Sequence, residues 1–187
     1  MITIELNIQK NKNQRLGENR GLETYYIDVS YEIESYVQEV DQQRVIDRLE
    51  EVLVLLGQGS CEFSVSFVSD AAMQELNKTY RDKDEPTDIL SFVQEDDVED
   101  FSWPEVVFEE TESLPQEIRV LGDMVISLDT LKRNALSFSV EPDEELHRLL
   151  IHGLLHLLGE DHHTNDADEP MLVKQEQLLQ QVRGSKR

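Results

Sequence analysis

The segment at residues 141–159 constrains the fold of this 187-residue chain more than any other. Pro142 near its start, acidic residues just after it and Gly159 at its end predict one helix. Proline is favoured in a first helical turn, acids at its positive end and glycine after its last turn. All five histidines of the chain lie between His147 and His163. We therefore expect the fold to contain one helix that carries part of a histidine cluster.

Three of these histidines have the spacing of a metal site. His152 and His156 are four residues apart, so they share one helix face about one turn apart. Gly159 can adopt a left-handed conformation that turns the chain back, which would bring His162 close to the first two. Three neutral imidazoles with an open fourth position form a catalytic type of zinc site. We predict a metal site here, and the alternative is a structural cluster of hydrogen-bonded histidines.

The other two histidines are predicted to be bystanders. His147 lies on a different face of the helix and is interpreted as a surface residue, and His163 as an outward-facing neighbour of His162.

The spacing of the three histidines is also that of the metzincin proteases, with one difference. Those proteases carry a general-base glutamate directly after the first histidine, and this chain has Gly153 there. Without that carboxylate, no group at this position can take the proton from an attacking water. The pattern therefore favours a metal site and argues against peptide hydrolysis. Glycine inside a helix costs about 1 kcal/mol relative to alanine, which predicts a packing or access reason for Gly153.

The remaining pattern predicts one domain with four strands and about five helices. Alternating or continuous apolar residues indicate strands at 2–8, 63–67, 86–93 and 120–127. Helical spacing of apolar residues, with caps, indicates helices at 41–56, after Ser69 or Asp70, after 127, at 141–159 and from Pro170 onward. The polar stretch at about 10–36 and the segment at 94–117 are predicted to be surface insertions.

The charge is strongly one-sided, with 17 Lys and Arg against 40 Asp and Glu and a net charge of −23. Such a surface excludes a generally basic nucleic-acid coat or a binder of anionic membranes, but it allows a local basic site. The segment at 94–117 contains ten of the acidic residues and neither Lys nor Arg. It is interpreted as a solvated insertion, the alternative being a regulatory or RNA-mimicking segment.

Cysteine content and hydropathy indicate a cytoplasmic protein without a membrane anchor. The single cysteine, Cys61, excludes an internal disulfide framework and is compatible with a reducing compartment. It is predicted to be a small buried apolar residue. The aliphatic runs are too short to span a bilayer, and the first twelve residues show no secretory signal.

Three separated motifs resemble the bacterial YbeY family of zinc-dependent endoribonucleases, which act in ribosomal RNA maturation. The first is His-Gly-Leu-Leu-His-Leu-Leu-Gly-Glu-Asp-His, which runs from His152 to His162. The others are Leu-Asn-Lys-Thr-Tyr-Arg at 76–81, which leads to Pro-Thr-Asp-Ile-Leu-Ser-Phe at 86–92, and Leu-Gly-Asp-Met-Val-Ile-Ser at 121–127. The segments 10–36 and 94–117 depart from the family pattern.

The resemblance implies a compact α+β fold with a mixed four-stranded sheet and a zincin-like histidine helix. It implies that His152, His156 and His162 bind one Zn2+ ion and that the functional arginine of the family is Arg81. A guanidinium group suits this role because it can hold a phosphodiester oxygen and offset developing charge. On the residues alone, the alternative for Arg81 is a surface ion pair with Asp82, Asp84 or Asp88.

Asp161 also belongs to the matching signature and has two possible roles. It could orient a ligand imidazole from outside the coordination sphere or recruit a water. The alternative is a turn residue at the end of the helix.

The resulting hypothesis is a zinc-dependent endoribonuclease that prefers single strands. It would process ribosomal RNA, including the 3′ end of the small-subunit 16S RNA, and take part in ribosome quality control. RNA precursors and small-subunit ribosomal proteins are the expected partners. The cations expected to line a groove beside the metal are Lys78, Arg81, Lys83, Arg119, Lys132, Arg133 and Arg148. The alternatives are a metzincin-like metallopeptidase and a non-catalytic zinc-containing ribosome assembly factor.

Overall fold

The computed structural model describes residues 23–94 and 118–184. The strand predicted at residues 2–8 lies outside the described residues. So does the predicted insertion at 94–117, apart from its first residue.

The described chain is a single α+β domain, as expected, with four strands and six helices. The elements are β1 (Tyr25–Tyr31), α1 (Tyr36–Glu39), α2 (Gln42–Leu55), β2 (Cys61–Val68), α3 (Asp70–Arg81), β3 (Ile89–Val93), β4 (Arg119–Ser127), α4 (Leu128–Phe138), α5 (Pro142–Leu157) and α6 (Pro170–Gly184). The helix that the sequence did not predict is α1, which has only four residues.

The sheet is mixed, as the resemblance implies, with the strand order β1-β2-β4-β3. Strands β1, β2 and β4 run parallel, and β3 pairs with β4 in the antiparallel direction. Gly122 has a φ of +125°, and a Cβ atom there would lie 2.0 Å from the carbonyl oxygen of Phe92. A side chain at this position would therefore disrupt the pairing of β3 with β4.

The prediction of an insertion at 10–36 was wrong for residues 25–36, which form β1 and α1. Strand β1 pairs with β2 along its whole length, from Tyr25 opposite Cys61 to Tyr31 opposite Phe67. The rings of Tyr31 and Phe67 stack with centroids 5.5 Å apart. The alternation of large apolar residues in Tyr-Tyr-Ile-Asp-Val-Ser-Tyr is a strand signal that the polar stretch before it obscured. Residues 10–22 lie outside the described residues.

Helix α5 lies at the centre of the molecule and packs against α2, α4, α6, β3 and β4. Its buried side chains come from every side of the helix, which is typical of a helix enclosed by its own protein. They include Leu146, Leu149, Leu150, Ile151, Leu154, Leu155 and Leu157. The predicted Pro142 start and Gly159 end are confirmed, and Gly159 has a φ of +91°.

Gly153 lies where α5 crosses the sheet. A Cβ atom at this position would lie 2.3 Å from Sδ of Met124 and 2.7 Å from Cδ1 of Ile89. The glycine therefore allows α5 to approach β3 and β4 closely, which is the packing reason that the sequence predicted. The contact also places His152 beside the start of β3.

His147 is buried, with 7% of its surface exposed, so the prediction of a surface residue was wrong. It lies against Val40, Arg44 and Val45, because α1 and α2 cover this side of α5. Burial lowers the pKa of His147, and the positive charge of Arg48 lowers it further. Cys61 is buried as predicted, and its burial raises the pKa of the thiol to about 11.

Of the helices in the described ranges, none is both long enough and apolar enough to cross a membrane.

Candidate metal centre

The structure brings His152, His156 and His162 together. Helix α5 carries the first two, and the turn at Gly159 returns the chain so that the third faces them. The ring centroids are 4.6 to 5.3 Å apart, and one nitrogen from each ring lies within 4.8 Å of the others. The Nε2 atoms of His152 and His156 are 3.1 Å apart. The three rings therefore converge on one point, as the spacing predicts.

Hydrogen bonds fix which nitrogen of each ring faces that point. Each Nδ1 atom lies 2.8 to 2.9 Å from an oxygen atom that can only accept. These oxygens are Oε1 of Gln175 for His152, the carbonyl of Glu160 for His156 and the carbonyl of Thr164 for His162. Each Nδ1 must therefore carry the proton, which leaves three Nε2 lone pairs for a metal ion.

The protonation of the rings also suits a metal. Burial lowers the pKa of His152 and of His156, and the neighbouring imidazoles lower both further. Both rings therefore remain neutral to a lower pH than an exposed histidine, and a histidine must be neutral to bind a metal. Three imidazole nitrogens form a donor set that fits Zn2+ and other divalent transition metals.

Asp161 lies at the turn between the helix and His162. Its side chain is 75% exposed, and Oδ1 accepts a hydrogen bond of 2.8 Å from the backbone N–H of His162. That bond holds the pKa of the carboxyl group below its usual value. The same oxygen lies 3.8 Å from Nδ1 of His156, beyond hydrogen-bond distance. This geometry favours the turn interpretation, and a role toward the metal stays a prediction.

Arg81 ends α3, immediately before Asp82, which has a left-handed conformation. Its positive charge contributes to lowering the pKa of His156, so the guanidinium lies within electrostatic range of the cluster. The ion pair considered for Arg81 does not form with Asp82, Asp84 or Asp88. Asp84 instead binds Lys78 at 2.7 Å, and Asp88 accepts a hydrogen bond from Asn134.

A pocket of about 110 Å³ lies between the end of α3 and the start of β3. Arg81 and Lys83 contribute its two cations, and Asn77, Glu85 and Thr87 contribute polar groups. Ile89 lines the pocket and also contacts the Gly153 position on α5. Ile89 therefore connects the lining of this pocket to α5.

The seven cations predicted to line a common groove do not do so. Four of them bind carboxylates instead: Lys78 binds Asp84, Lys132 binds Glu39, Arg133 binds Asp70, and Arg148 binds Glu144, Glu145 and Glu176. Arg119 begins β4, at the opposite end of that strand from Ile126, which pairs with Ile89. Of the seven candidate cations, only Arg81 and Lys83 line the pocket. In an acidic protein, most cations find a carboxylate nearby.

Sequence reasoning missed Gln175, the partner of His152. It lies on α6, with only 6% of its surface exposed, among the buried residues Met171, Leu178, Leu179 and Val182. A glutamine on the apolar stripe of a predicted helix was the available signal. Nothing in the local pattern indicates which residue it contacts.

The fold and the three imidazoles define a class of protein: α+β domains with three histidines that could hold a metal ion, two on a buried helix and the third after the turn that ends it. More specifically, the chain belongs to the YbeY family. The profile of that family, described as endoribonuclease YbeY, matches residues 29–183.

Individual relatives agree with this assignment. The endoribonuclease YbeY of Treponema denticola is 44% identical over 78% of this chain and 86% of its own length. That of Leptospira interrogans is 38% identical over 69% of this chain and 92% of its own length. The solution structure of TM1509 from Thermotoga maritima is 27% identical, with a TM-score of 0.51 over 84% of this chain and 89% of that one.

Proposed function

We propose that this chain is a metal-dependent endoribonuclease that processes ribosomal RNA precursors. One observation carries the proposal: three Nε2 lone pairs converge on one point, and Arg81, which acts electrostatically on His156, has no described carboxylate within 4.0 Å. A metal ion and an unpaired cation can stabilise the charge that develops when a phosphodiester is cleaved. The relatives are named as endoribonucleases, which agrees with this chemistry.

His152, His156 and His162 would hold the metal, for which we propose Zn2+. When bound, the ion supplies Lewis-acid chemistry at a phosphate oxygen or at a water. The carbonyls of Glu160 and Thr164 and the amide of Gln175 keep the three rings in the ligating tautomer.

Arg81 is proposed as the catalytic residue that holds the phosphate. A guanidinium can bind two phosphate oxygens at once and neutralise charge that develops during cleavage. Arg81 is available for this role because no described carboxylate lies within 4.0 Å of it. Lys83 lines the same pocket and can contact a neighbouring phosphate of the same strand.

An exposed aromatic ring beside Arg81 supports a preference for single strands. Tyr80 is 64% exposed, and its ring packs edge-on against Phe92 with centroids 5.0 Å apart. Unpaired bases can stack on such a ring, whereas the bases of a duplex are already stacked on each other. The arrangement therefore favours single-stranded RNA.

The packing of α5 argues against the peptidase alternative. A glutamate in place of Gly153 would collide with Met124 and Ile89 unless both side chains shifted, so the packing of α5 in this chain disfavours a base directly after His152. The assembly-factor alternative does not explain why Arg81 and Lys83 form no ion pair with any described carboxylate. The proposed substrates are precursors of the small-subunit RNA, with cleavage at the 3′ end of 16S RNA and a role in quality control. The proposed setting is the cytoplasm, with small-subunit proteins as partners.

The test is cleavage of a labelled single-stranded RNA that spans the 3′ precursor end of small-subunit RNA. The Zn2+-loaded protein is compared with His156→Ala and Arg81→Ala, purified identically. We expect cleavage by the unaltered protein and a loss of at least about 100-fold in each variant, because each removes stabilisation of the transition state. Equal cleavage by all three would show a contaminating nuclease, and none by any, with or without ribosomal proteins, would overturn the proposal.

A further inference from the structure

Gln175 is a buried polar side chain on a helix that contributes no histidine to the cluster. A buried amide must find hydrogen-bond partners, because an amide that loses its water and gains no partner destabilises the fold. Gln175 finds two: its Oε1 lies 2.8 Å from Nδ1 of His152, and its Nε2 lies 3.1 Å from Oε1 of Glu176. Its partners therefore connect α6 directly to the metal centre on α5.

The neighbours of Gln175 determine which way its amide points. A carboxylate can only accept, so Glu176 selects the NH2 end of the amide and leaves the carbonyl end for His152. Glu176 is itself held by Arg148, whose Nε donates to it at 2.8 Å. Arg148 also binds the buried Glu145 at 2.6 Å. A chain of contacts thus runs from α5 through α6 and back to the first histidine of the cluster.

The three acceptors behind the imidazoles differ in kind. His156 and His162 donate to backbone carbonyls, which no side-chain substitution removes. His152 donates to a side chain from another helix. The orientation of His152 therefore depends on tertiary packing, whereas local turns fix the other two rings.

We propose that Gln175 is a positioning residue of the metal centre. By accepting from Nδ1, it holds the imidazole of His152 in the tautomer and orientation that present Nε2 to the metal. The docking of α6 is thereby a condition for tight metal binding. The inference rests on the metal site of the proposed function, but it does not depend on which reaction the site catalyses.

The test measures Zn2+ affinity by competition with a chromophoric chelator, and it uses Co2+ absorption to report ligand geometry. Gln175→Met keeps the length and volume of the side chain but removes the acceptor. We expect it to bind Zn2+ about 10- to 100-fold more weakly, the usual loss when such a partner is removed, and to show an altered Co2+ spectrum. The exposed Gln177 on the same helix gives the matched control, and Gln177→Met should bind Zn2+ like the unaltered protein.

A rescue variant separates positioning from packing. Exchanging the two residues, as Gln175→Glu with Glu176→Gln, moves the carboxylate to position 175 and the amide to position 176. An acceptor then faces His152 again, and we expect affinity within a few-fold of that of the unaltered protein. A purely structural role would predict that this exchange fails as badly as Gln175→Met.

Unchanged Zn2+ affinity in a folded Gln175→Met variant would overturn the inference. If that variant does not fold without metal, as judged by circular dichroism, Gln175→Asn decides: the shorter side chain cannot reach His152, so unchanged affinity would overturn the inference and weaker binding supports it. Weaker Zn2+ binding together with an unaltered protein that cleaves no RNA would sink the proposed function and leave the inference standing. Normal RNA cleavage by the unaltered protein, together with unchanged Zn2+ affinity in Gln175→Met, would overturn the inference and leave the proposed function standing.

Discussion

Arg148 and Arg81 occupy opposite environments in this acidic protein. Arg148, on α5, binds Glu144, Glu145 and Glu176 and is mostly buried. Arg81, at the end of α3, is exposed and has no described carboxylate within 4.0 Å. The chain has 40 acidic residues, and Glu85 lines the same pocket as Arg81, yet the two form no ion pair. The paired cation holds elements together, and the unpaired one is available to a ligand.

The largest expected difference between the two arginines is in the free energy of unfolding after each is replaced by alanine. Arg148→Ala would leave Glu145, which is only 2% exposed, as an uncompensated buried charge, at a cost of about 3 kcal/mol. Arg81→Ala removes no contact with a carboxylate, so its free energy of unfolding should stay within about 0.5 kcal/mol of the original. Urea unfolding of the apo proteins at pH 7 measures both values. Equal destabilisation by the two substitutions would contradict the claim that Arg148 stabilises the fold and Arg81 does not.

A smaller difference, in the salt dependence of RNA binding, is expected between two lysines near the end of α3. Lys83 lines the pocket and has no partner among the described carboxylates, whereas Lys78 binds Asp84 at 2.7 Å. If Lys83 contacts a phosphate, Lys83→Ala should reduce the slope of log affinity against log salt for single-stranded RNA by about 0.7. Lys78→Ala should leave the slope unchanged, because Asp84 already neutralises that charge. Fluorescence anisotropy at several salt concentrations distinguishes the two, and identical slopes would refute a special role for Lys83.

The smallest expected effect on the free energy of unfolding is that of replacing Asp70, the partner of Arg133. Burial opposes ionisation of Asp70, but hydrogen bonds from Arg133, Ser127 and Thr130 outweigh it and hold the pKa of the carboxyl group below its ordinary value. The Arg133 side chain is 57% exposed, so we expect Asp70→Asn to cost only about 1 kcal/mol at pH 7.

The same pKa shift fixes the pH dependence of this effect. Because the folded-state pKa is lowered, the ionised Asp70 stabilises the fold above the unfolded-state value of about 4, and this contribution is lost as the pH falls through the folded-state value. The difference in free energy of unfolding between Asp70→Asn and the unaltered protein should therefore become smaller below about pH 4. If this difference in free energy of unfolding stayed constant between pH 7 and pH 3, the lowered pKa of Asp70 would be contradicted.

The comparison of cations also shows where sequence reasoning stops. The family resemblance singles out Arg81 among the seven candidate cations, but charge and local pattern alone do not tell which of them form ion pairs. Their pairing depends on residues far along the chain: Arg133 binds Asp70, and Lys132 binds Glu39. Similarly, β1 was missed because a polar stretch precedes it, although its own alternation predicts a strand.

The sequence by itself determined the three clustered histidines, because helical periodicity places His152 and His156 on one face and Gly159 permits the turn that returns His162. It also determined the caps of the helices, the end of α5 and the small residue at Gly153, since each follows from local backbone preference. Only the tertiary structure decided that Gln175 contacts His152, that His147 is buried and that Arg81 and Lys83 have no partner among the described carboxylates. Those outcomes depend on distances between elements that are remote in sequence, and a local pattern carries no information about such distances.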